Sequence, residues 1–115
     1  MALYWEEVVV DSKDPIALGE WWLEALGWVE VDRGEEELEI APEVGAHPTV
    51  LFGRVDEEKV GKNRLHLDFV PDDQAAEVDR LIALGASRVD IGQRDVPWVV
   101  LADPEGNEFC VLAAR

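Results

Sequence analysis

The 115-residue chain carries 26 acidic residues against 10 basic ones, a formal charge of −16. Such a field repels phosphate backbones and anionic membrane surfaces and attracts cations, which argues against nucleic-acid and membrane partners. Apolar residues make up 48% of the chain, no apolar run approaches the ~20 residues of a bilayer span, and Cys110 is the single cysteine, so one domain with a real core and no disulfide is expected.

The opening "MALYWEEVVV" has two glutamates in place of the basic stretch of a signal peptide, so a cytoplasmic location is expected. "LYWEEVVV" (3–10) is β-prone. "DPIALGEWWLEAL" (14–26) is helical, with Asp14 as cap, Pro15 in the first turn and Gly27 as the left-handed stop. Leu18, Trp21, Trp22, Ala25 and Leu26 fall at helical spacing and mark its buried face. Three short strands are predicted at 28–32, 37–41 and 49–53, and the polar "VDEEKVGKN" (55–63) reads as a linker. A second strand-prone run, "RLHLDFV" (64–70), then leads to a helix from Asp72 to Leu84, with Ala75, Val78, Leu81 and Ile82 inward and Gly85 closing it. Strands near 87–91, 97–102 and 108–112 complete the chain.

The two halves repeat. "LEALGWVEVD" (23–32) and "LIALGASRVD" (81–90) share Leu, Ala-Leu-Gly and Val-Asp at equal spacing, with Gly27 and Gly85 58 positions apart. The implied order is βαβββ twice, an α+β arrangement whose curved, mostly antiparallel sheets carry helices on one face and leave a concave face free. Repeat one spans about 3–54 and repeat two about 64–113 of a single domain, 1–115.

This doubled unit, the "DP" opening the first helix, the "ALG" closing each helix and the ending "DPEGNEFCVL" resemble the vicinal oxygen chelate superfamily. That group includes glyoxalases, bleomycin resistance proteins and extradiol dioxygenases, and the nearest likeness is to its small glyoxalase-like domain proteins. The resemblance implies their fold. It does not fix the reaction, since one fold hosts several chemistries.

Alternation along the strands sets the candidate site. Leu65, Leu67 and Phe69 should meet the helix, and so should Phe109 and Val111, as should Val8 and Val10 in the first strand. His66, Asp68 and Val70, then Glu108, Cys110 and Leu112, and Trp5, Glu7 and Val9 are left for the concave side. In metal enzymes of the superfamily a ligand precedes the first helix-opening aspartate by seven residues and its second-copy counterpart by six. Those spacings fall on Glu7 and His66, and Glu108 stands at the last-strand position. The resemblance therefore implies a metal set of Glu7, His66 and Glu108 for Fe, Mn, Ni, Co or Zn. The chain departs from the pattern in having Glu7 where histidine is usual and no ligand near Thr49 to Leu51.

Each residue has a plainer alternative. Glu7 beside Glu6 can be an edge-strand charge, His66 a histidine bonded to Asp68 or Glu108, and Glu108 an ion-pair partner of Arg64 or Arg94. His47 lies in a Gly/Pro-rich loop, and Cys110, between apolar neighbours, reads as inert core on the cavity side. Trp5 and Trp98, with Asp68 and Cys110, are the expected ligand contacts, and indoles favour a flat or aromatic molecule.

Two functions follow. One is a metal-dependent lyase, isomerase or dioxygenase acting on a small oxygenated or aromatic molecule, with Glu7 and Glu108 as catalytic carboxylates. The other is a metal-free protein of the bleomycin-resistance type, sequestering a cationic small molecule. A homodimer is expected in either case, because an open cup leaves edge strands and an inner face exposed.

Overall fold

A computed structural model describes residues 2–115, and the chain divides after Glu58 into two compact units. The first holds β1 (Glu7–Ser12), α1 (Pro15–Leu26), β2 (Val29–Arg33), β3 (Glu37–Ala41) and β4 (Thr49–Arg54). The second holds β5 (Leu67–Phe69), α2 (Gln74–Leu84), β6 (Ser87–Arg88), β7 (Val99–Ala102) and β8 (Glu108–Val111). Each unit is βαβββ, as the repeat implied, and each makes a four-stranded mixed sheet, ordered β1-β4-β3-β2 and β5-β8-β7-β6. The first and last strands of each unit pair in parallel and the remaining pairs are antiparallel.

Local chemistry explains the helices. The Asp14 carboxylate accepts the Ala17 N–H at 3.2 Å, Pro15 occupies the first turn, and Gly27, at φ +66°, ends α1 with its N–H on the Leu23 carbonyl. Leu18, Trp22 and Ala25 are buried, and the Trp21 and Trp22 rings meet edge to face at 5.0 Å. Gly19 lets α1 lie close on β3, because a Cβ there would sit 2.5 Å from Leu38 Cδ2. Under the helix, Leu38, Ile40, Val50 and Phe52 form the core of the unit. Burial of one such side chain contributes about 1.5–3 kcal/mol.

The second unit departs from expectation in detail. Asp73 caps α2, accepting the Ala76 N–H at 3.1 Å, so the helix begins at Gln74, after the Asp72 start expected. Asp72 and Asp73 have the same capping chemistry, and one residue of phase decides between them. Val78 and Leu81 are buried, whereas Ala75 and Ile82, expected inward, are exposed. β5 is only three residues long, so Leu65 falls before it and is 87% exposed rather than packed under the helix. β1 likewise starts at Glu7, leaving Leu3, Tyr4 and Trp5 outside the strand. The Gln74 amide anchors α2 by donating to the Pro97 and Val111 carbonyls.

Candidate functional site

Cross-strand register decides which residues share a face. In the first unit Glu7 lies opposite Thr49, Val9 opposite Leu51, and Leu51 in turn opposite Glu39. This face, turned away from α1, therefore carries Glu7, Glu39 and Thr49, with the Thr49 hydroxyl donating to Glu39 at 2.5 Å. Burial pushes the Glu7 carboxyl above its ordinary pKa, and the nearby charges of Glu39, Glu6 and Glu37 push the same way. The exposed His47 ring contacts the Glu6 carbonyl and carboxylate, and an open pocket beside it is lined by Leu3, Tyr4, Trp5, Glu6, His47 and Pro48.

In the second unit Asp68 lies opposite Cys110, which pairs on its other side with Val100, and Glu108 lies opposite Ala102. Leu67, Phe109 and Leu101 alternate onto the other face, where the Phe69 and Phe109 rings meet edge to face at 6.1 Å. His66 precedes β5 and turns its Nδ1 to the Asp68 carboxylate at 2.9 Å, with the Cys110 sulfur 3.9 Å from the same nitrogen. His66 and Asp68 keep about two-fifths of their side chains exposed, while Cys110 is buried. Burial raises the thiol pKa to about 11, helped by the charge and hydrogen bond of Asp68. Trp98, just ahead of β7, is 39% exposed.

Glu108 is placed by the turn before it. Asp103 is buried and its carboxylate accepts the N–H groups of Glu105 and Asn107 and the Asn107 amide, while Gly106 takes φ +89° and donates to the Asp103 carbonyl. The buried Glu108 carboxylate then accepts Lys59 Nζ and the Asn63 N–H, each at 3.0 Å. Burial alone would raise its pKa, but the Asn63 and Lys59 hydrogen bonds outweigh that and hold it below the usual value. Its partner is thus Lys59, where the sequence had suggested Arg64 or Arg94. Lys59 is a linker residue, and nothing in "VDEEKVGKN" distinguishes it from Lys62.

Of the residues singled out from the sequence, His66, Asp68, Cys110 and Glu108 share one face of the second unit, and Trp98 immediately precedes β7 of the same unit. Glu7 and Trp5 belong to the first unit. His66, Asp68 and Cys110 each offer a donor atom, all within 4.8 Å of one another, an arrangement able to hold a metal ion.

A family model described as "Glyoxalase-like domain" matches residues 7–112. The chain belongs to this family of the vicinal oxygen chelate superfamily. No curated protein matches it. Its fold is shared with a glyoxalase/bleomycin resistance protein/dioxygenase family enzyme from Burkholderia phytofirmans PsJN, at 20% identity and TM-score 0.75, covering 96% of this chain and 98% of that one. It is also similar to TnmS3, an antibiotic-binding protein from Streptomyces sp. CB03234, at 20% identity and TM-score 0.64, covering 100% and 99%. The bleomycin-binding protein of Streptomyces verticillus, solved with copper(II)-bleomycin, matches at 14% identity and TM-score 0.64 with the same coverage.

Proposed function

We propose that this glyoxalase-like protein binds a small oxygenated or aromatic molecule on a sheet face turned away from the helix of its unit, with a divalent transition metal held through His66 of the second unit. The observation that carries the reading is the half-exposed His66–Asp68 pair. It lies beside buried Cys110 on a face whose opposite side is packed with Phe109 and Leu101. A half-exposed, titratable cluster backed by apolar side chains is costly for the fold and useful for a ligand. Exposed indoles at Trp5 and Trp98 suit a flat ligand in each unit.

A metal there would supply Lewis acidity toward substrate oxygens, the basis of lyase, isomerase or dioxygenase chemistry. The chain's own contribution is proton transfer and positioning. Within the first unit, Glu7, with its raised pKa, is the carboxylate suited to carry a proton for a molecule held on that unit's own sheet face. Glu108, held ionised by Lys59 and Asn63, acts by accepting hydrogen bonds.

The pairing of Glu108 with Lys59 and the charge of −16 favour a second reading, a metal-free protein sequestering a cationic molecule. Tryptophan fluorescence titrations separate the two. Catechol bound only when transition metal is present supports the metal-dependent reading. Bleomycin bound equally with and without a chelator supports sequestration.

We also propose a cytoplasmic homodimer. Leu3 and Tyr4 are 92% and 90% exposed beside the edge strand β1, an apolar segment that a second chain would cover. Light scattering giving the mass of a single chain at all concentrations would refute the dimer.

A further inference from the structure

We propose that His66, Asp68 and Cys110 together form a zinc-type site in which Cys110 is a metal ligand. This rests on the reading that His66 holds a metal, and it changes that metal's other ligands. The resemblance implied Glu7 and Glu108 as ligands beside His66, but the Glu108 carboxylate is already engaged by Lys59 Nζ and the Asn63 N–H. The groups next to the imidazole are different ones. Asp68 Oδ1 lies 2.9 Å from His66 Nδ1 and Cys110 Sγ lies 3.9 Å from it, with all three donor atoms within 4.8 Å of one another.

Donor atoms around a tetrahedral zinc, bonded at about 2.0–2.3 Å, lie about 3.3–3.8 Å apart. The cluster needs only small side-chain movements to reach that spacing. Its backbone is suited to the task, because the parallel β5–β8 register sets Asp68 directly opposite Cys110. One sulfur, one nitrogen and one oxygen donor make a set that zinc accepts and magnesium or calcium does not. Three protein ligands also leave a coordination position for water or a substrate oxygen.

A cysteine ligates as its thiolate, so metal uptake by Cys110 displaces a proton and affinity rises with pH.

The experiment is a cobalt(II) titration of the intact chain, with zinc competition. The proposal expects a sulfur-to-cobalt charge-transfer band in the near ultraviolet, visible bands of four-coordinate intensity, and displacement of both by zinc. Cys110→Ser and Asp68→Asn, each checked for a native circular dichroism spectrum, should lower cobalt affinity at least tenfold, and Cys110→Ser should remove the charge-transfer band. Glu108→Gln should leave it in place. Cobalt binding that depends on His66 and Glu108 without a charge-transfer band overturns this inference and leaves the metal-dependent reading standing. No binding of cobalt or zinc overturns both.

Discussion

Replacing Lys59 by Met removes the ammonium from Glu108 while keeping most of the apolar stem. In the native protein Glu108 is 8% exposed and its carboxylate accepts two hydrogen bonds of 3.0 Å, from Lys59 Nζ and the Asn63 N–H. Cutting one partner from a buried ion pair costs about 3–5 kcal/mol. Here the Asn63 N–H remains and the Lys59 side chain is 20% exposed, so an expected loss of about 1–3 kcal/mol is more fitting. For a chain of this size that corresponds to a fall in Tm of roughly 4–12 °C.

The pH dependence gives a sharper test. Glu108 has a lowered folded pKa, so its contribution is present above the unfolded carboxylate pKa and is lost as pH falls through the folded value. In Lys59→Met the burial that raises the pKa loses one of its two main opponents, so the variant should lose less stability in acid. Urea unfolding at neutral pH and near pH 3 should show the gap to wild type closing as the carboxylate is protonated. A variant within about 0.5 kcal/mol of wild type at neutral pH, with a parallel pH profile, would refute the account of Glu108.

Gly19→Ala should destabilise the first unit by about 1–3 kcal/mol, because the new methyl group meets Leu38 Cδ2 at 2.5 Å; unchanged chemical denaturation would contradict that close approach. Asp73→Ala should cost about 1 kcal/mol and Asp72→Ala far less, which the same denaturation curves measure. Cys110, buried and with its pKa raised to about 11, should react slowly with a thiol reagent at pH 8 in native protein and at once in denaturant. Fast native labelling would show the thiol to be open.

The doubled βαβββ order was legible because each copy writes it in short-range terms. Capping aspartates, Ala-Leu-Gly helix ends and alternating apolar strands are all local signals. The last strand was equally readable, since "DPEGNE" fixes a turn through Asp103 and Gly106 and so the phase of Glu108 and Cys110. Shared faces follow from that phase, so alternation in the sequence is enough to put His66, Asp68, Cys110 and Glu108 on one side, whereas Glu7, assigned to the same cavity, lies in the first unit. Strand length was less legible: "RLHLDFV" alternates over its whole length, yet only Leu67–Phe69 pairs with β8, which strands Leu65 in solvent. The partner of Glu108 was not legible at all. Lys59 lies 49 residues away in a polar linker, and long-range pairing of that kind leaves no periodic trace.

The most direct test of the metal reading is the metal content of wild type and His66→Ala, each purified without added metal or chelator and then offered zinc. The account predicts stoichiometric transition metal in wild type, as purified or after zinc is added, and at least tenfold less in His66→Ala. Wild-type protein that arrives empty and stays empty in zinc, or His66→Ala that holds as much metal as wild type, would contradict it.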